Sequence, residues 1–236
     1  MWQARALSAS ERWSRLAERK VVQAKEFLDT ALCRTWSEQV LAAKGEWTHD
    51  FGGEQYSLGL AYYAHHETSR TRHYFRGVAA ADARVERVLP GMQAGVVDLI
   101  SAFTGAPASR RPGWCGPGVH VFVPESPVAE RGGSIHFDLE GLRGATSVPM
   151  LSVVIVLQPA LEGGGLRVWS ARHSEAIHPT AAEQAEEPET VRYETGDFVA
   201  FEGQRLHQIE PFTGERARIT ITAHAVAEAD GWKVWF

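Results

Sequence analysis

The stretch GDFVAFEGQRLHQIEPFTGERARIT, residues 196–220, decides how this chain folds. Its β-branched and aromatic residues fall into short runs, at 197–201, at 206–209 and from Arg216 onward, separated by breaks that contain Gly or Pro. Runs of this length between turn residues read as strands, and no apolar period of 3.6 runs through them.

The same texture extends outward in both directions. Strands are expected at 119–123, 134–139, 151–158, 165–169, 190–193, 197–201, 206–209 and 216–226. Eight short strands preceded by helices predict an all-β core with flanking helices (α+β), a double-stranded β-helix or jelly roll with N-terminal helices packed on one face. The expected organisation is a single domain over 1–236. In it, residues 119–226 form the jelly-roll core and residues 1–118 a mainly helical support, with possible edge strands in SLGLAYYA (57–64) and RHYFRGV (72–78).

In that support, Ser8 followed by Glu11 has the pattern of a capping box and predicts a helix start. Val21, Ala24, Leu28, Ala31 and Leu32 recur at helical spacing, and Gly45 suits a left-handed cap at the end of that helix. A second helix is expected over 92–103, opened by Pro90 and closed by Gly105. The acidic run AAEQAEEPET, residues 181–190, reads as a solvated loop.

Within GGSIHFDLEG, residues 132–141, His136 and Asp138 stand two apart on an expected strand. Alternate residues of a strand project from one face, so both can reach one ion. With a distant His they would make a two-histidine, one-carboxylate set, which leaves adjacent metal positions open for a bidentate 2-oxoacid and O2. Ten histidines and 29 acidic residues give about one His-X-acid match by chance, and the chain has three. The other two are His65 with Glu67 and His173 with Glu175, for which surface or loop positions are the ordinary explanation.

Only the His136 pair is followed by an ordered series: the apolar run LSVVIVLQP (151–159), the glycine turn and strand EGGGLRVW (162–169), then the segment at 196–220. That series resembles the Fe(II)/2-oxoglutarate oxygenases of the prolyl-4-hydroxylase-like type, over roughly residues 119–224. In those enzymes a Gly-Asp pair precedes a strand ending in Phe, the distal metal His is followed by X-hydrophobic-X-Pro, and the co-substrate Arg lies nine or ten residues on. His207, Ile209, Pro211 and Arg216 occupy these positions here.

The resemblance implies Fe(II) held by His136, Asp138 and His207, with 2-oxoglutarate as co-substrate, O2 as oxidant, and succinate and CO2 as products. Arg216 is the expected partner of the distal carboxylate, with Arg218 second and Thr220 a further donor, since a guanidinium fork matches a carboxylate in a way lysine does not. Arg216, Arg218, Thr220 and Thr222 share one strand face by alternation, and Ile219 and Ile221 the other. Two positions depart from relatives: Arg218 stands where many carry Ser, and Val156 where some place a Tyr that bonds 2-oxoglutarate. Substrate contacts are expected from His120 and Phe122, which alternate in GVHVFVP (118–124), and from Trp114, Arg131 and Arg143 on loops.

Composition narrows the partners. A formal charge of −5 leaves no basic surplus for a phosphate backbone, so nucleic acid is not expected. No apolar run reaches the ~18 residues of a membrane span, and the polar N-terminus has no signal-peptide character. Two distant cysteines, Cys33 and Cys115, fit a reducing cytoplasm rather than a disulfide scaffold. The expected prime substrate is a small metabolite or natural-product intermediate. The alternatives are a peptidyl substrate, as for prolyl hydroxylases, or a cupin-like metal protein that does not use 2-oxoglutarate.

Overall fold

A computed structural model describes residues 2, 4–142, 148–173 and 179–236. The first half of the chain supplies β1 (Val21–Ala24), α1 (Thr30–Ala42), β2 (Thr48–Asp50), β3 (Gln55–Leu58), α2 (Tyr62–Glu67), α3 (Thr71–Val88), α4 (Met92–Thr104) and β4 (Ala108–Arg110). The second supplies β5 (Gly118–Phe122), α5 (Pro127–Arg131), β6 (Met150–Gln158), β7 (Glu162–Gly163), β8 (Leu166–Arg172), α6 (Ala181–Ala185) and β9 (Glu189–Val191). It ends with β10 (Phe198–Glu202), β11 (Arg205–Ile209), β12 (Phe212–Thr213), β13 (Arg218–Glu228) and β14 (Gly231–Trp235).

Among the described residues, a large sheet runs in the order β1-β10-β6-β13-β5-β3-β2, with β14 beside β13 and β4 beside β14. A smaller sheet has the order β11-β8-β9. Period-2 alternation decides what each face of the large sheet meets. Leu151, Val153, Ile155 and Leu157 of β6, with Ile219, Ile221 and Ala223 of β13, pack against Trp36 and Val40 of α1, Val85 of α3 and Val96, Ile100 and Phe103 of α4. Val154 and Val156, which alternate with them along β6, and Val199 and Phe201 of β10 turn the other way and pack on Leu166, Val168 and Val191 of the small sheet. This is the expected jelly roll with helices on one face.

Several expectations are corrected. Ser8 and Glu11 do bond to each other, but only a 3-10 turn at Trp13–Ala17 follows. Val21 and Ala24 lie on β1, because the adjacent valines pair with Phe201 and Ala200 of β10, a tertiary partner that overrides an ambiguous three- and four-residue spacing. Gly45 sits in a 3-10 turn, and Ala43 ends α1. Of the two possible edge strands, 57–58 pair as expected, whereas AYYA enters α2 and RHYFRGV lies wholly in α3. The helical period of α3 shows only over its full length, in buried Tyr74, Ala81, Val85 and Val88. The loop at 181–190 begins with the short helix α6, capped by Thr180 and Glu183. Residues 134–139 form no strand beyond a single bridge between His136 and His207. The C-terminal strand β14 was not anticipated. Met92–Thr104 is a helix as read, with left-handed glycines at both ends, Gly91 and Gly105.

Candidate active site

The bridge between His136 and His207 builds the candidate metal centre. Each N–H donates to the other's carbonyl at 3.0 Å, so the two residues face each other across an antiparallel pair and project together. Asp138, two residues on, projects from the same face and is fixed by its own N–H donating to the Gly203 carbonyl at 2.8 Å. Nε2 of His136 lies 3.4 Å from Asp138 Oδ1, and Nε2 of His207 lies 3.5 Å from Oδ2. One donor atom from each of the three residues lies within 4.8 Å of the others.

Both imidazoles are oriented by their other nitrogen. His136 Nδ1 is 2.8 Å from the Ser134 carbonyl and His207 Nδ1 is 2.9 Å from the Arg205 carbonyl. A carbonyl can only accept, so each ring carries a proton on Nδ1 and turns Nε2 toward Asp138. Ser152 Oγ donates to Asp138 Oδ2 at 2.6 Å and is itself 3.1 Å from His224 Nδ1. Burial works to raise the Asp138 carboxyl, but the imidazoles of His207, His224 and His136 outweigh it and hold it well below the ordinary range. For His136, burial works downward, and the hydrogen bond and charge of Asp138 carry it up to about 9. Two imidazole Nε2 atoms and an ionised carboxylate suit a divalent first-row ion, whose charge would replace the protons that otherwise balance Asp138.

These residues line a cavity of about 500 Å³. Along β13, Arg218, Thr220, Thr222 and His224 face into it, as the expected alternation requires. Arg218 is 3% exposed. Its Nε donates to the Gly164 carbonyl at 2.7 Å, and its guanidinium lies 5.1 Å from the Phe122 ring centre and 5.2 Å from that of Tyr193. Gly164 has φ of +72°, a conformation that other residues rarely adopt, so the glycine turn is what aims this carbonyl. Burial pulls the Arg218 guanidinium below its ordinary value, yet arginine stays charged. Among the described residues no carboxylate pairs with it; its Nη1 lies 3.4 Å from Thr220 Oγ1, and the buried Tyr193 hydroxyl stands beside it. Burial pushes that hydroxyl up to about 12.

Arg216 is placed differently from the sequence reading. It precedes β13, and its guanidinium is occupied by the carbonyls of Pro159 at 2.9 Å and Ala160 at 3.2 Å, away from the cavity. Counting back from Arg218 along one pleat gave it the cavity face, but the strand has not begun at 216. Of the expected substrate contacts, His120, Phe122 and Arg131 line the cavity. Trp114 instead packs among Tyr62, Tyr74 and Trp235, with Arg111 4.1 Å from its ring. Arg143 lies outside the described residues, as does Glu175. His65 is buried and bonded to the Ala61 carbonyl within its own helix.

Residues that sequence reading missed are Tyr193, Ser152, His224, Tyr63 and Asp50. Tyr193 and Ser152 sat inside or beside expected strands, and alternation from Asp197 and Val153 was the available signal. Asp50 is 2% exposed and accepts from Ser57 Oγ at 2.6 Å. Burial pushes its carboxyl up to about 7 against the Ser57 bond. Below about pH 4 it is protonated whether folded or not. As pH rises to 7 only the unfolded chain ionises freely, so the folded state loses stability through this group. Asp50→Asn is expected to gain on wild type between pH 4 and 8 by on the order of 2–4 kcal/mol. Urea denaturation at the two pH values measures it, and a constant difference between the two proteins would show an unshifted carboxyl.

Comparison with known proteins agrees with this geometry. Residues 128–225 match the family model described as 2OG-Fe(II) oxygenase superfamily. No curated protein matches the chain by sequence. Among solved structures, the carbocyclase SnoK from nogalamycin biosynthesis, described as non-haem and alpha-ketoglutarate-dependent, is similar with a TM-score of 0.62 and 15% identity, over 98% of this chain and 97% of that one. An N-substituted L-amino acid dioxygenase from Burkholderia ambifaria, solved with alpha-ketoglutarate, gives 0.60 and 16% over 94% and 89%. A prolyl hydroxylase from Trichoplax adhaerens, solved with a hypoxia-inducible-factor peptide, gives 0.53 and 14% over 89% and 84%. At such identities the structures establish the fold, and the family model adds the chemistry of one segment: residues 128–225 match a 2OG-Fe(II) oxygenase domain, which supports a 2-oxoglutarate-dependent dioxygenase.

Proposed function

We propose that the protein oxidises a small metabolite or natural-product intermediate, with His136, Asp138 and His207 as iron ligands and Arg218 as the partner of 2-oxoglutarate. The observation that carries this reading is Arg218: a buried cation facing the cavity, with no carboxylate paired to it among the described residues, beside the buried Tyr193 hydroxyl. A buried charge costs several kcal/mol unless paired, so this end of the cavity calls for an anion, and a carboxylate can take the guanidinium, Tyr193 and Thr220 together. Arg216 then serves the turn at 159–160.

When bound, Fe(II) supplies the oxidative decarboxylation of 2-oxoglutarate to succinate and CO2, and the oxidising power used on the substrate. The chain's own residues do the positioning. Ser152 holds Asp138 Oδ2, the two backbone carbonyls hold the histidine rings, and Val154, Leu166 and Phe201 exclude water from the wall behind. The size of the cavity favours a small substrate, since 300–1,000 Å³ is the ordinary range for small-molecule sites. SnoK and the amino acid dioxygenase support the same preference, while the Trichoplax prolyl hydroxylase keeps a peptidyl substrate as the second reading. No helix among the described residues is long and apolar enough to cross a membrane.

The test is succinate formation from 2-oxoglutarate without added prime substrate. Slow turnover that requires Fe(II) and O2 is expected in wild type and absent in Arg218→Ala at the same co-substrate concentration. Metal binding without any succinate formation would instead favour a cupin-like protein that does not use 2-oxoglutarate.

A further inference from the structure

The cavity has a second polar wall that the iron and co-substrate reading does not use. It comes from β2, β3, α2 and β5, outside the segment matched by the family model. Asp50 and Ser57 stand behind this wall, while Gln55, Tyr63 and His120 face the cavity. Ser57 Oγ donates to Asp50 Oδ2 at 2.6 Å and lies 3.0 Å from His120 Nδ1. Above the raised Asp50 value of about 7 the carboxylate can only accept, so the one proton of the Ser57 hydroxyl is committed to it. His120 Nδ1 must therefore carry the proton of that second bond and donate it to Ser57. Burial, with His224 and Arg218 nearby, keeps His120 neutral, its value pushed down to about 3. Its Nε2 is then a bare acceptor.

Tyr63 has the complementary fault. Its hydroxyl accepts from Gln55 Nε2, which leaves its own proton to be given away. His120 Nε2 lies 3.5 Å away, at the limit of a hydrogen bond. The wall therefore offers one underused donor and one underused acceptor side by side. An alcohol oxygen satisfies both at once, accepting from Tyr63 and donating to His120. A carbonyl leaves Nε2 bare, and a hydrocarbon leaves both groups stranded. Above that pH an anion is disfavoured, because ionised Asp50 stands directly behind the wall.

We propose that Tyr63 and His120, locked in their roles by Gln55, Ser57 and Asp50, form a specificity site for a neutral hydroxyl group on the prime substrate. This deepens the reading of the cavity as an oxygenase site and rests on it for the meaning of "substrate". Tyr63 and His120 would touch the substrate; Ser57 and Asp50 are positioning residues that act through the tautomer of His120.

Two measurements test it. At pH 8, long-range proton–nitrogen correlation of the His120 imidazole should show the proton on Nδ1, with Ser57→Ala shifting it toward Nε2; a wild-type proton on Nε2 overturns the proposal. This arm needs no metal, co-substrate or substrate. In the second arm, protein loaded with Mn(II) and 2-oxoglutarate is titrated with 1-indanol, 1-indanone and indane by ligand-observed NMR. Two hydrogen bonds should favour the alcohol by about tenfold or more, and Tyr63→Phe and His120→Leu should each reduce that preference to about twofold. Absence of discrimination in wild type, or a preference that survives Tyr63→Phe, overturns it. Co-substrate binding is followed in the same samples, so failure of 2-oxoglutarate to bind is separately visible as failure of the oxygenase reading.

Discussion

His207→Ala and His136→Ala are each expected to abolish tight Fe(II) binding while leaving the fold in place. Each removes one of three donor atoms, which should lower affinity by more than the roughly 10- to 100-fold that loss of an orienting partner costs. The fold survives because what joins the two segments is backbone: the paired N–H and carbonyl groups of residues 136 and 207 bond at 3.0 Å whatever the side chains are. Ser152→Ala provides the internal scale, since it only unfastens Asp138 Oδ2. Anaerobic calorimetry on the three variants should rank both histidine changes well below Ser152→Ala. Wild-type affinity in either histidine variant would refute the triad.

The second large effect concerns the two arginines. Truncating one partner of an enclosed charge-assisted pair costs about 2–5 kcal/mol, much of it from stranding the other charge. Arg218→Ala should accordingly raise the apparent 2-oxoglutarate constant by roughly 30-fold to several thousand-fold. Arg216→Ala should change that constant by less than about threefold, a fraction of one hydrogen bond, because its guanidinium is spent on the Pro159 and Ala160 carbonyls. It should instead cost about 1–2 kcal/mol of stability through the lost turn contacts. Succinate production across a co-substrate series, with urea denaturation alongside, separates the two. The reverse ranking would return the co-substrate role to Arg216.

The strand core and the His136, Asp138, His207 constellation were legible because both rest on local periodicity: β-branched runs, a two-residue spacing, and a His-X-hydrophobic-X-Pro sequence. Choosing between Arg216 and Arg218 needed to know where β13 begins, and that is set by pairing of Arg218 with Phe122 of β5, a contact about a hundred residues away. Tyr193 was hidden for a similar reason. It reaches Arg218 from two residues beyond the end of β9, a segment remote from β13 in sequence. Asp50, Ser57 and Tyr63 were illegible because β2, β3 and α2 are short elements at the margin of the sheet whose meaning comes only from lying beside His120. RHYFRGV was misread because seven residues rich in aromatics cannot distinguish a strand from one face of an 18-residue helix.

The strand order of the large sheet has a consequence for how such a protein diversifies. Tyr63 and the residues that brace His120 come from the margin beyond β5, whereas the rungs joining β13 to β5 and β6 lie inboard and carry Arg218 and His224. Remodelling residues 48–67 touches the two outermost ladders, β2 with β3 and β3 with β5, and leaves the rungs from β5 inward paired. Recombination between relatives at this seam would therefore exchange the substrate-facing wall while inheriting the oxidising centre unchanged, and selection can explore new substrates there without first having to preserve the chemistry.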